Sequence, residues 1–156
     1  MRTIRTLGLQ SYGPFKGEHV VELTDKAYAI FARSEGDADR SNFLGKSTFT
    51  SAIPFLLFGW HPWRVDDDAI TWGEKACEVT VTFDDGSSAM RRIVRGKPYA
   101  LEFRQGPATQ TSTVLHQDAA QEAILEACGL SRVDYFEVAH LEQKKISGLL
   151  EKDTDK

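Results

Sequence analysis

The chain has 156 residues, a formal net charge of −4 and 27% charged residues. That length suits one domain with a sizeable core, and the composition is that of an ordinary globular protein, which excludes a disordered or fibrous chain. A weakly acidic total advertises no nucleic-acid surface, so any such contact has to come from a local basic face.

Ile4, Leu7 and Leu9 stand among Arg2, Thr3, Arg5 and Thr6, which predicts a strand over residues 1–9 with one polar face. Gly13 and Pro14 mark a turn within 11–17, and residues 19–23 read as a second strand, so 2–23 reads as an antiparallel pair. After Asp25 and Lys26, the apolar run at 27–32 reads as a central strand. The polar stretch 33–39 then suits either a solvated loop or a flap beside a nucleotide, with Arg33 or Arg40 near base, ribose or phosphate.

The stretch Arg40-Ser41-Asn42-Phe43-Leu44-Gly45-Lys46-Ser47-Thr48 is the chain's most informative. Its Gly-Lys-Ser-Thr end, preceded by a strand-like run and followed by an apolar helical run from Phe49 to Phe58, has the strand–loop–helix setting of a phosphate-binding loop. Backbone N–H groups at a helix N-terminus cradle phosphate oxygens, aided by the helix dipole. Lys46 is expected to reach the β- and γ-phosphates and the Ser47 hydroxyl to ligate Mg²⁺. Arg40 stands where the full pattern has a first glycine. The competing reading is an ordinary helix start with a Ser or Thr cap.

Pro54 is expected to kink the following helix or end it early. An aromatic loop, 59–64, precedes Asp66-Asp67-Asp68, which reads as a solvated loop or helix cap rather than a metal site, because consecutive carboxylates do not converge unaided. Cys77, Val79, Val81 and Phe83 alternate with polar residues, and Asp84-Asp85-Gly86 makes a hairpin turn. Strands are expected at 90–95, 99–104 and 113–115. Arg91, Arg92, Arg95, Lys97 and Arg104 make this the most basic region: either the outward face of a half-buried sheet, or, for Arg91, Arg92, Arg95 and Lys97, a contact with DNA phosphates. Residues 117–128 read as a helix stopped by Gly129, 135–141 as buried and apolar, and 151–156 as a frayed tail or the start of a coiled coil. No run approaches the ~20 apolar residues of a membrane span. Cys77 and Cys128 lie far apart, outside any metal-binding spacing, so the expectation is a cytoplasmic protein with free thiols.

Taken in order, these motifs resemble the N-terminal ATPase lobe of the SMC/RecF/SbcC class of ABC-type DNA-repair ATPases. The resemblance rests on Ile4-x-x-Leu7 with Tyr12 to Gly17, on Asn42-x-x-Gly45-Lys46-Ser47-Thr48 with Ala52-Ile53 and Leu56-x-Phe58-Gly59, and on Ile70-x-x-Gly73 ahead of the alternating strand and the Arg-rich strand. Phe136-x-Val138 and Leu141-x-Gln143 complete it. It covers nearly the whole chain, about residues 1–150: a P-loop at 40–48, a β-rich part at about 76–115 and a Q-loop-like region at about 136–146. Arg40 and Phe43 replace residues that are commonly glycine in the class, and the insertion 33–39 departs from it.

The resemblance implies an α/β, P-loop NTPase half-domain with a mixed sheet plus an antiparallel β-meander. ATP and Mg²⁺ would be the cofactors. Asn42, Phe43, Leu44, Gly45, Lys46, Ser47 and Thr48 would surround the nucleotide, with Lys46 on its phosphates. Ser47 and Gln143 would hold the metal, and Gln143 would sense the γ-phosphate. Hydrolysis would need a C-terminal lobe, from the same chain or a separate one, bringing the Leu-Ser-Gly-Gly signature and Walker B acids that this sequence does not show. ATP would close two such heads together, and DNA and a nuclease are the further partners of the class. Two alternatives stand beside this reading: a truncated, catalytically silent module that binds a related ATPase or other partner, and a self-contained P-loop kinase or hydrolase. Against the last, there is no later acidic strand end and no Arg-rich lid helix.

Overall fold

The computed structural model describes residues 1–24, 27–31, 45–107 and 112–139, with Val138 and Ala139 by backbone alone. Six strands form one sheet: β1 (Ile4–Tyr12), β2 (Phe15–Glu22), β3 (Ala76–Phe83), β4 (Ser88–Val94), β5 (Ala100–Arg104) and β6 (Val114–His116). Their order is β2-β1-β3-β4-β5-β6, and every neighbouring pair is antiparallel. The protein is thus α/β in the coarse sense.

Two expectations are corrected here. The N-terminal pair and the meander are one continuous sheet, because β1 pairs with β3 through Leu7↔Val81 and Leu9↔Val79. Both strands alternate apolar and polar residues, so this register puts all their apolar side chains on one face. The sheet is therefore antiparallel rather than mixed among the described residues. The run at 27–31 is not a strand, and Tyr28, Ile30 and Phe31 are exposed. A central parallel strand needs a partner on each side, and no described strand pairs with it.

The inward row of the sheet holds Leu7 and Leu9 of β1, Cys77, Val79, Val81 and Phe83 of β3, Ala89 and Ile93 of β4, and Leu101 and Phe103 of β5. Two helices cover it. Helix α1 (Lys46–Phe58) contributes Ala52, Phe55, Leu56 and Leu57, and α2 (Gln117–Cys128) contributes Ala120, Ile124, Ala127 and Cys128. Each large apolar side chain taken out of water here stabilises the fold by about 1.5–3 kcal/mol. Helix α1 begins three residues earlier than the apolar pattern suggests and passes through Pro54 without ending, closing at Gly59, whose N–H donates to the Phe55 carbonyl at 2.9 Å. Asp66–Ala69 form a 3-10 turn after the aromatic loop. Beyond α2, Arg132–Asp134 make a short helical turn, opened by a Ser131 capping box, that runs into a π-helical turn at Tyr135–Ala139. The remainder of the Q-loop-like region and the tail at 151–156 lie outside the described residues.

No helix among the described residues is long and apolar enough to cross a membrane. Both cysteines are free and buried.

Burial pushes the Cys77 thiol up to about 12, the Cys128 thiol up to about 11 and the Tyr135 phenol up to about 12. All three are held neutral by the folded state, so the stability they confer is fully present below about pH 9, where the thiols of the unfolded chain begin to ionise. It is lost as pH rises towards the folded values. Urea midpoints measured from pH 8 to 11 are expected to fall, by up to about 1.4 kcal/mol per pH unit for each thiol. A Cys77→Ala variant, less stable at pH 8, should show a shallower fall; an unchanged slope would contradict this account.

Candidate functional site

Helix α1 starts where the phosphate-loop motif ends. Gly45 precedes it at φ 85°, ψ 8°, and its carbonyl accepts the Phe49 N–H at 2.8 Å. That left-handed backbone favours glycine, and space enforces the same choice: a Cβ on Gly45 would lie 2.6 Å from Pro14 Cγ and 3.3 Å from Phe15 Cζ. Opposite, a Cβ on Gly13 would lie 2.5 Å from Thr48 Cγ2 and 3.1 Å from Trp63 Cζ2. At each glycine the backbone thus lies against a side chain of the facing segment, and the β1–β2 turn and the first turn of α1 pack closely. Gly13 donates its N–H to the Ala69 carbonyl at 2.7 Å, and the Tyr12 hydroxyl meets Ser51 Oγ at 3.2 Å. Edge-on Trp63, 5.3 Å from Tyr12 between ring centroids, closes the cluster.

Among the described residues no side chain caps α1, and its first turn holds no acidic residue. Its leading N–H groups therefore have no partner within the helix and carry the positive end of its dipole. Lys46 is half-buried and Ser47 exposed, and neither side chain has an ion-pair or hydrogen-bond partner among the described residues. Thr48 is half-buried and turned towards Gly13. Of the other sequence-predicted site residues, Arg33, Arg40, Asn42, Phe43, Leu44 and Gln143 lie outside the described residues.

Lys46 opens onto a groove of about 590 Å³. Phe15, Val21 and Leu23 form one wall, the exposed segment 28–31 another, and Phe49, Ile53 and Tyr135 the third, with Gly45, Lys46 and Thr50 at the polar end. No carboxylate lines it among the described residues. The same residues contain no cluster of three His, Cys, Asp or Glu side chains that would hold a metal. The three consecutive aspartates do not converge: Asp66 meets His61 Nε2 at 3.0 Å, and Asp67 faces Arg95 at 3.9 Å.

Parity separates Arg91 from Arg92 within β4, and Arg95 and Lys97 lie beyond its end. Arg92, Arg95 and Lys97 are exposed, whereas Arg91 is only 4% exposed and points into the core. This removes Arg91 from the expected DNA contact. Its Nε donates to the Leu56 carbonyl at 3.1 Å and its Nη2 to Gln121 Oε1 at 2.9 Å, while Gln121 Nε2 donates to the Leu57 carbonyl at 2.6 Å. The guanidinium lies over the Tyr99 ring at 4.8 Å and the Phe55 ring at 6.0 Å. Burial draws it below its ordinary value, against the influence of Tyr99 and Asp66. Arg91 and Gln121 thereby satisfy two of the carbonyls that a helix leaves open at its C-terminus, and place a cation at the negative end of the α1 dipole.

Sequence reasoning missed Arg91, Gln121 and Gly13 as positioning residues. The signal for the first was present: Ala89, Arg91 and Ile93 share the period-two row that faces inward.

Compared with known proteins, the chain matches no protein-family model, and no curated protein is significantly similar to it.

Arg91→Lys keeps the charge but loses the fork, and is expected to lower stability by about 2–4 kcal/mol in urea unfolding. Arg92→Lys, one residue away on the outer face, should change it by less than about 0.5 kcal/mol. Equal effects would contradict the placement of Arg91.

Proposed function

We propose that this chain is the ATP·Mg²⁺-binding half of an SMC-like ATPase that acts on DNA. The observation that carries the reading is the start of α1: a first turn, pinned by Gly45 against the β1–β2 turn, that presents an ammonium and a hydroxyl together, with neither a cap nor a side-chain partner among the described residues. The residue types fit the group. Free N–H donors and the Lys46 ammonium suit phosphate oxygens. The Ser47 hydroxyl suits Mg²⁺, a hard cation that takes oxygen ligands and keeps several waters. When bound, Mg²⁺ would supply charge neutralisation on the phosphates. Lys46 would hold and orient the phosphate chain, and the apolar groove beside it would keep water from its flank.

The groove lacks a carboxylate among the described residues, so water activation, and any metal ligand beyond Ser47 and Gln143, would fall to a complementary lobe. That lobe, from the same chain or another, would cover the exposed segment 28–31. Pairing of two ATP-bound heads, action on DNA and association with a nuclease follow from the same resemblance. One observation favours a second reading, a silent interaction module: the groove wall is almost wholly apolar, as a protein-binding surface is.

Calorimetric titration with ATP·Mg²⁺ separates the two. The ATPase-half reading expects measurable binding that weakens at least about tenfold in Lys46→Ala, as the loss of a charge-assisted phosphate contact requires. Identical behaviour of the two proteins would overturn it and favour the interaction module.

A further inference from the structure

Trp72 is 96% exposed. So large an apolar side chain is rarely left wholly in water, and this one is held there by a built turn. Glu74 donates its N–H to the Thr71 carbonyl at 2.9 Å, with Gly73 at φ 87° between them, so Trp72 occupies the leading corner of a tight turn. The base of the turn is fixed: Thr71 is buried, its N–H donates to the Ser11 carbonyl at 2.9 Å and its hydroxyl to the Phe15 carbonyl at 3.3 Å. Next to it, Ile70 bridges Tyr12. The indole stands on a rigid post.

Cations gather at the same end of the sheet. Lys75 follows the turn, and its carbonyl accepts the Arg95 N–H at 3.0 Å, which brings the Arg95-Gly96-Lys97 turn alongside. Lys16, next to the Phe15 that anchors Thr71, faces Glu74 at 3.8 Å, and Arg95 faces Asp67 at 3.9 Å. These two pairs offset each other, leaving Lys75 and Lys97 exposed and without an acidic partner among the described residues.

We propose that the 71–75 turn is a docking point for single-stranded nucleic acid, with an unpaired base stacked on Trp72 and the flanking phosphates on Lys75 and Lys97. An exposed indole beside two exposed lysines matches a strand whose base faces are open. A duplex hides those faces in its stack and offers Trp72 nothing to stack on. The inference deepens the DNA-handling part of the function proposed above, and does not depend on the phosphate loop.

The test is a fluorescence titration of the chain with a twenty-nucleotide oligo-dT at low salt, with the duplex of the same length as comparison. Binding of the single strand is expected to quench the exposed tryptophan. The affinity should fall with a log–log salt slope of about 1.4, as two phosphate contacts give on a single strand. Trp72→Ala should weaken binding about tenfold, Trp72→Phe less, and Lys75→Glu with Lys97→Glu should remove most of the salt dependence. Because Trp72 touches solvent almost everywhere, an unchanged circular-dichroism melt of the alanine variant should accompany its loss of binding. Lys46→Ala, which tests the ATP reading, should bind oligo-dT as the parent does. No binding by the parent, equal binding by Trp72→Ala, or a duplex preferred over the single strand would each overturn the proposal.

Discussion

The close approach of the β1–β2 turn to the first turn of α1 is the constraint on which the rest depends. At Gly45 an added Cβ would meet Pro14 at 2.6 Å, and at Gly13 it would meet Thr48 at 2.5 Å. Pro14 and Thr48 can come this near only because the residue facing each is glycine, and the left-handed conformation at Gly45 adds a second reason for the same residue. The contact fixes where α1 begins and in which direction it runs. It thereby sets where Lys46 and Ser47 stand relative to the sheet. The Tyr12, Ser51 and Trp63 contacts around it anchor the helix near its start in the same way.

The far end of α1 is held by different chemistry. Arg91 rises from the middle of β4 into the core, satisfies the Leu56 carbonyl, and is joined to α2 through Gln121. A buried guanidinium is expensive unless its donors are used and its charge is met. Here the Leu56 carbonyl, the Gln121 side-chain oxygen and two aromatic faces meet it, and the same bonds tie sheet, α1 and α2 into one unit. The helix is therefore clamped at both ends: by steric fit where the ligand is proposed to bind, by hydrogen bonds and charge at the opposite end. Such clamping suits a site whose N–H groups must be in place before a ligand arrives.

Much of this was legible in the sequence. The alternation of Cys77, Val79, Val81 and Phe83, the turn at Asp84-Asp85-Gly86 and the helix at 117–128 all stand where periodicity put them, because their patterns match the half-buried surfaces they form. The run at 27–32 misled. Apolar residues in a row are consistent with a buried strand, but burial depends on partners from elsewhere in the fold, and a local pattern cannot report whether those partners are present. Continuity of β1 with β3 was hidden for a related reason: it joins residues some seventy positions apart, and only the shared inward row hints at it. Arg91 was misassigned by residue type, although its parity with Ala89 and Ile93 marked it as inward-facing. At the candidate site, the motif identified Gly45, Lys46 and Ser47 directly, whereas Gly13 acquires meaning only once the turn and helix are brought together.

If the first turn of α1 is the phosphate cradle proposed above, backbone amide resonances report on it most directly. Adding a slowly hydrolysed ATP analogue with Mg²⁺ to isotopically labelled protein should shift the amides of Lys46, Ser47 and Thr48 more than any in β4, β5 or the Trp72 turn. Shifts confined to the sheet or to the exposed segment 28–31, with the α1 amides unmoved, would contradict it.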